Sequence, residues 1–369
     1  MGTRALMPKS ASEVSAEWLT EVLRNSGKLD IKAKVSNVAV EAGSAGVGFM
    51  GEVARLTLDY SERSPDLAET MICKFPTQQE QVKAMLRPTR IYEREHRFYL
   101  DLAGLSPLRT PFVYHVTCNT SIDEMVEEEY VLLMEDFSDL TLGDQVVGVS
   151  PDRAGVVLSD LAAHHAFFWN ERGLSKAEFV PSINGSLNKA VQNLYFDAMP
   201  VFEEIFGSVL LPEMIEISRS YGSNHPQLLD QLAALPQTLC HGDFRADNLF
   251  FDSDGSVAVI DWQGISRCGA AADVGYFLSQ NMDLDDRRDH ESELLRVYHE
   301  SLVNAGVSDY EFSRFFEDYK LGILYGWIIP VFAVGSLDVS SERAMELWNR
   351  VLIRSQDAIL QHGAQKYFD

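Results

Sequence analysis

Two hydrophobic rhythms divide the chain. Across residues 12–25 (SEVSAEWLTEVLRN), Val14, Trp18, Leu19, Val22 and Leu23 fall on one helical stripe. Ser12 or Ser15 serves as N-cap and Gly27 as the stop, which predicts an N-terminal helix. The period then shortens. Residues 35–41 alternate, and from 53 to 60 Val53, Arg55, Thr57 and Asp59 alternate with Ala54, Leu56, Leu58 and Tyr60, the two-residue period of a half-buried strand. Short apolar runs at 70–76, 112–116 and 130–137 read as further strands, interrupted by one helical stretch at 78–102 with a break at Pro88 and an end by Gly104. From Leu140 the pattern turns helical. Ser150-Pro151-Asp152 caps a helix whose Val156, Val157, Leu158, Leu161, Ala162 and His165 keep helical spacing as far as Trp169. Further helices are predicted at 187–206, 212–221 and 226–235, the last broken by Pro236, and then at 286–305, 309–335 and 341–361. A strand-rich first part and a helix-rich second part predict an α+β protein of two lobes, residues 1–137 and 138–369.

Composition narrows the class. At 369 residues the chain is long enough for two substantial cores, and 46% hydrophobic with 23% charged residues describes a soluble globular protein. No apolar run approaches the ~20 residues that span a bilayer. The first residues (MGTRALMPKS) lack an apolar signal core, and Leu6 stands where a myristoylation motif needs Ser or Thr. Cys73, Cys118, Cys240 and Cys268 are scattered without C-x-x-C spacing, so neither a zinc site nor a disulfide framework is expected. A reducing, cytoplasmic setting fits them. With 55 acidic against 31 basic residues the net charge is −24, which repels nucleic acid and anionic membranes. The acid excess suits a cationic acceptor; solubility or a salt-rich habitat accounts for it as readily.

Candidate chemistry concentrates between residues 239 and 263, LCHGDFRADNLFFDSDGSVAVIDWQ. Leu249-Phe250-Phe251 reads as a short strand, Asp252-Ser253-Asp254-Gly255 as a tight turn, and residues 256–260 as the return strand, ending on Asp261. Such a hairpin brings Asn248 and Asp261, oxygen ligands for a hard cation, back toward Asp243. A base and two Mg²⁺ ligands are the minimum for phosphoryl transfer from ATP, where catalysis is mainly positioning and charge neutralisation. Upstream, GVGFMGEV (46–53) matches the pattern G-x-G-x-x-G-x-V. A dinucleotide-binding turn needs a helix immediately after its glycines; here a strand follows, which favours a flap over nucleotide phosphates.

The order of these motifs carries a resemblance. His241-Gly242-Asp243, Asn248 and Ile260-Asp261-Trp262 resemble the active-site signature of the aminoglycoside phosphotransferase and choline kinase superfamily, small-molecule relatives of protein kinases. HGDFRADNLFF with VIDWQ and the later DVGYFL is most similar to the ecdysteroid-kinase-like branch, and LAAHHAFFW is similar to a helix of the same superfamily. The resemblance implies a bilobal protein-kinase-like fold with a small antiparallel-sheet N-lobe and a mainly helical C-lobe. It implies Asp243 as catalytic base and Asn248 and Asp261 as Mg²⁺ ligands. Gly46, Gly48 and Gly51 would cover the ATP phosphates, and Lys74 would contact them at the α/β positions. Glu95 would pair with Lys74, with Glu93 its rival on another helix face, and Met134, Glu135, Asp136 and Phe137 would form the hinge that holds adenine. Asp273 would bond the backbone of the catalytic loop, or simply cap a helix. His241 is expected to shape the loop and His165 to be a satisfied core residue, while Arg245 either pairs with Asp243 or assists the transferring phosphate.

The implied activity is transfer of the ATP γ-phosphate to a small hydroxylated acceptor, steroid-like, amino-alcohol or aminoglycoside-like. Trp262, Tyr276, Tyr325 and Trp327 are candidates to line its pocket, although aromatics at such spacing are commonly core. A nucleotide-binding pseudokinase or scaffold is the alternative from another class. A protein kinase is disfavoured, because HGD replaces HRD and no APE-like segment follows Asp261.

Overall fold

A computed structural model describes residues 7–43, 51–62, 66–119, 129–174, 176–336 and 339–368. The chain forms two compact units, residues 1–104 with 110–139 and residues 105–109 with 140–369. The fold is α+β, with an antiparallel sheet in the first unit.

In the first unit, α1 (Ala16–Asn25) begins where the Ser15 side chain accepts the Trp18 N–H, and it buries Trp18, Leu19, Val22 and Leu23. That stripe packs against the sheet strands β1 (Val35–Ala42), β2 (Gly51–Tyr60) and β3 (Thr70–Pro76). Two short helices follow, α2 (Glu80–Leu86) and α3 (Ile91–Arg97), separated by a tight turn containing Pro88. Strands β4 (Val113–Asn119) and β5 (Glu129–Glu135) complete a five-stranded sheet in the order β1-β2-β3-β5-β4, with every neighbouring pair antiparallel. The alternation read at 53–60 is realised, since Ala54, Leu56 and Leu58 point into the core with Met71, Cys73, Phe75, Val131 and Leu133.

The second unit begins with β6 (Thr141–Leu142) and α4 (Pro151–Phe167), then the long α5 (Ser186–Phe206) and α6 (Pro212–Ala233). Residues 212–221 and 226–235 were expected as separate helices, yet α6 runs straight through Pro226. Proline leaves the carbonyl four residues earlier without its donor, and that carbonyl, on Gly222, instead accepts Gln192 Nε2 of α5 at 2.8 Å. Next come β7 (Gln237–Cys240), the hairpin strands β8 (Leu249–Phe251) and β9 (Val257–Val259), and β10 (Ser266–Gly269). The hairpin turn has Gly255 at φ 90°, as its Asp-Gly signal required. β10 lies in a stretch expected to be loop; four residues carry too little pattern, and antiparallel pairing with β7 makes it a strand.

The remaining helices are α7 (Ala271–Asn281), α8 (Leu284–Asn304), α9 (Phe312–Gly326), α10 (Ile328–Ser336) and α11 (Glu342–His362). The single helix expected at 309–335 is thus divided at Trp327 into α9 and α10. α7 is buried along its whole length. It approaches α9 closely enough that a Cβ on Gly275 would meet the Gly322 backbone, and one on Gly322 would overlap the Ala271 carbonyl oxygen. Among the described residues no helix is long and apolar enough to cross a membrane.

Candidate active site

The loop between β7 and β8 is shaped from both sides. Gly242 takes φ 82°, a left-handed conformation, and a Cβ there would overlap the Gly264 carbonyl oxygen. Asp273, in the first turn of α7, accepts the His241 N–H at 2.7 Å and the Gly242 N–H at 3.0 Å, and lies 3.3 Å from His165 Nε2. Burial opposes the Asp273 charge, but the hydrogen bond and electrostatic interaction with His165, followed by those with His241 and the Gly242 N–H, hold its carboxyl below the usual range. Asp273 therefore bonds the loop backbone directly. His165 is fully buried, with its other ring nitrogen 2.7 Å from the Tyr298 hydroxyl.

His241 has a shaping role as well. Its Nδ1 accepts the Asp243 N–H at 3.2 Å, so the proton sits on Nε2, which donates to the Ile260 carbonyl at 2.9 Å. Its ring packs edge-on against Trp262 at 4.7 Å, and Trp262 Nε1 donates to the Val259 carbonyl. Imidazole and indole together tie the start of the loop to the strand that delivers Asp261.

Asp243 accepts three side-chain hydrogen bonds. Its Oδ2 accepts Asn248 Nδ2 at 3.1 Å and Arg245 Nε at 3.2 Å, and its Oδ1 accepts the Tyr276 hydroxyl at 3.0 Å. About a quarter of its side chain stays accessible, 24%. Asn248 Nδ2 also donates to the Asp243 carbonyl at 2.9 Å, which leaves Oδ1 as the amide's acceptor atom. Arg245 extends further, to Asp247 Oδ2 at 2.7 Å and Gln145 Oε1 at 3.4 Å. Burial works against its charge, yet Asp243 and its other neighbours outweigh that and hold the guanidinium pKa above its usual value. Asp261 adopts φ 66°, uncommon for any residue but glycine although Asp tolerates it, and the preceding Ile260 N–H donates to the Asn248 carbonyl at 3.1 Å. Asn248 and Asp261 thus flank one backbone hydrogen bond, one offering an amide oxygen and the other a carboxylate. Oxygen donors of this kind fit Mg²⁺.

In the first unit, Lys74 Nζ donates to Glu95 Oε1 at 2.8 Å, and the Tyr130 hydroxyl donates to Glu95 Oε2 at 2.7 Å. Lys74 is 7% exposed and Glu95 fully buried, so neither is a solvated surface charge. Burial, then the Glu95 charge, raises the Tyr130 pKa far above its usual value and keeps it a donor. Glu93 pairs instead with Arg90. Met134 sits in β5 opposite Ile72 and Val113. Glu135 gives its N–H to the Phe112 carbonyl at 2.8 Å, Asp136 accepts Arg55 Nε at 2.7 Å, and Phe137 is buried. A Cβ on Gly51 would come within 2.8 Å of the Phe75 carbonyl oxygen. Gly46 and Gly48 lie outside the described residues.

Of the aromatics read as pocket candidates, Trp262, Tyr276 and Trp327 are buried and Tyr325 is half-buried. Tyr276 supports the Asp243 loop, a contact the sequence reading missed. Its three-residue spacing from Asp273 was the available signal, since both then project from one side of α7. Tyr130 and Gln145 carried no such signal. His165, Cys240 and Asp273 also place three ligand-type atoms within 4.8 Å of one another. In the structure Asp273 is committed to the loop amides, and burial, reinforced by the hydrogen bond with Cys268, raises the Cys240 thiol pKa.

Residues 45–307 match the ecdysteroid kinase-like family. Among solved structures the chain is similar to a choline kinase from Cryptosporidium parvum (TM-score 0.57, 11% identity, 95% of this chain and 98% of that one). It is also similar to a spectinomycin phosphotransferase in complex with ADP and spectinomycin (TM-score 0.52, 12% identity, 93% and 98%). A third is the GDP complex of an aminoglycoside 2'-phosphotransferase (TM-score 0.51, 13% identity, 94% and 98%). At such identities the likeness is one of fold. A Caenorhabditis elegans protein named as an uncharacterized oxidoreductase, dhs-27, is 21% identical over 339 residues, which cover 82% of this chain. The chain spans 39% of that relative's length, so its name describes a much longer protein. The family match covers both the glycine-rich segment and the loop that carries Asp243, and the chain belongs to the ecdysteroid kinase-like family.

Proposed function

We propose that this chain is an ATP-dependent, Mg²⁺-assisted phosphotransferase acting on a hydroxyl of a small alcohol, steroid-like, amino-alcohol or aminoglycoside-like. The observation that carries the reading is Asp243, a partly accessible carboxylate held by three side-chain donors in a loop whose backbone is anchored by Asp273. Phosphoryl transfer asks little covalent chemistry of a protein and much alignment. A carboxylate fixed this firmly suits a group that orients the acceptor hydroxyl and receives its proton as the oxygen bonds to phosphorus. The nucleotide complexes of the spectinomycin and aminoglycoside phosphotransferases support nucleotide use.

On this reading Asn248 and Asp261 hold Mg²⁺, which when bound neutralises phosphate charge. Lys74 contacts the α/β-phosphates and Glu95 keeps its ammonium in place. Gly46, Gly48 and Gly51 let backbone approach the phosphates. The segment Met134 to Phe137 receives adenine, with Glu135 excluded as an N–H donor because Phe112 already takes that hydrogen. All four cysteines are free thiols, which fits a reducing compartment such as the cytoplasm.

The test is Asp243→Ala. Calorimetry should show Mg·ATP bound about as tightly as by the wild type, while transfer of labelled γ-phosphate to an acceptor found by screening steroids, amino alcohols and aminoglycosides falls at least ~100-fold. Undiminished turnover would remove Asp243 from its role. Mg·ATP binding without consumption by the wild type, whatever the acceptor, would favour a scaffold.

A further inference from the structure

The donors around Asp243 are divided unequally between its two oxygens. Among the described residues, Oδ2 accepts Arg245 Nε and Asn248 Nδ2, whereas Oδ1 accepts the Tyr276 hydroxyl alone. A carboxylate oxygen has two lone-pair sites. Oδ2 is therefore filled, and Oδ1 keeps one site open.

The Tyr276 donor is itself held rigidly. Its side chain is 1% exposed and it lies on a helix buried throughout, packed closely against α9 through Gly275 and Gly322. Burial, followed by the Asp243 charge, pushes its pKa far above the usual value, so the hydroxyl stays protonated and donates. A phenol fixed by two torsions in a packed helix is a better rotational stop for a carboxylate than the long Arg245 side chain.

Resting on the phosphotransferase reading, we propose that Tyr276 is a positioning residue that selects Oδ1 of Asp243 as the atom receiving the acceptor's proton. As the acceptor oxygen bonds to the γ-phosphorus, its proton passes to the open site on Oδ1. The bond from that phosphorus to the bridging oxygen breaks, and its electron pair leaves with ADP. Tyr276 keeps its own proton throughout and touches neither substrate. Because it is buried, it is not a phosphate acceptor itself, although its hydroxyl meets Asp243 as an acceptor hydroxyl would.

A double-mutant cycle on the full chain tests this, with Mg·ATP as substrate and water as the acceptor. Tyr276→Phe should lower kcat for phosphate release roughly 10- to 100-fold, the loss expected of a misaligned base, with KM for Mg·ATP within about twofold. Added to Asp243→Ala, it should change the residual rate by less than about twofold, because its route runs through Asp243. Losses that multiply, or an effect carried by KM, would overturn the assignment. Unfolding midpoints of the same four proteins read the contact without enzymology. Tyr276→Phe should lower the midpoint in the wild-type background and leave it unchanged or raised beside Asp243→Ala, where the hydroxyl has lost its acceptor. Equal shifts in both backgrounds would overturn the contact, and phosphate found on Tyr276 by mass spectrometry would overturn its bystander role. A wild type that neither binds nor consumes Mg·ATP would sink the phosphotransferase reading, and the proton assignment with it, while the midpoint coupling persisted.

Discussion

At the scale of single residues, the loop that carries Asp243 depends on backbone that only glycine fits. Gly242 has φ 82° and faces the Gly264 carbonyl with no room for a methyl group. Gly242→Ala should therefore cost about 2 kcal/mol or more from the left-handed backbone and the overlap combined. Its two neighbouring amides should also shift away from Asp273. Denaturant unfolding measures the first, and a midpoint equal to wild type would show that the loop has room the structure denies it. His241-Gly242-Asp243 was legible as a unit because turn chemistry and loop chemistry are local. The partners of Asp243 were legible only in part: Arg245 and Asn248 lie within five residues of it, whereas Tyr276 is 33 residues away. Nothing short of packing α7 behind the loop brings it there.

At the scale of elements, α7 is the support on which the loop rests. It supplies Asp273 to two loop amides, Tyr276 to Asp243 and Asn281 Oδ1 to the Ala246 N–H at 2.8 Å. Its position is set by the close approach to α9 through Gly275 and Gly322. Gly322→Ala forces a methyl group into the Ala271 carbonyl and should destabilise the second unit by about 1–3 kcal/mol, the usual cost of overpacking. It should also move Tyr276, so that any Asp243-dependent turnover falls with it. Unchanged stability would mean the helices separate freely, and α7 would then not be a rigid support. The resemblance implied a helix beginning near Asp273, but its burial on every side was not readable, since amphipathic spacing is what a sequence displays and α7 has no exposed face. The same limit explains α6: Pro226 reads as a break, and only the tertiary donor from Gln192 lets the helix continue.

At the scale of the whole molecule, buried histidines make stability depend on pH. Burial, then the neighbouring His165, lowers the pKa of His164 to about 3, and burial lowers that of His225 to about 4. Unfolded, both titrate near ~6.5. Between those limits the unfolded chain binds protons that the folded chain refuses, so stability rises with pH there. This contribution is complete above about pH 6.5 and is lost as pH falls toward 4 and 3, at roughly 1.4 kcal/mol per pH unit for each histidine. Depressed carboxyls at Asp273 and Glu291 add their own loss further down, below the usual carboxylate range. Unfolding followed by tryptophan fluorescence at pH 7.5, 6 and 5 should show the decline, because the second unit holds Trp169, Trp262, Trp327 and Trp348. In His225→Phe the slope should be shallower; a wild-type midpoint flat across that range would refute the linkage.

What the sequence by itself determined is what neighbours along the chain decide. The alternation at 53–60, the hairpin turning at Gly255 and the helical stripe of α1 all follow from side-chain period and local dihedral preference. The spacing of Asp243, Asn248 and Asp261 belongs with them, because one loop and one hairpin connect all three. Tertiary structure alone decided which carboxylate oxygen of Asp243 stays open, that Tyr130 as well as Lys74 meets Glu95, that residues 266–269 become a strand and that Pro226 is no break. Each of those outcomes needs a donor or a packing surface from a distant part of the chain, and linear order does not encode which distant groups will meet.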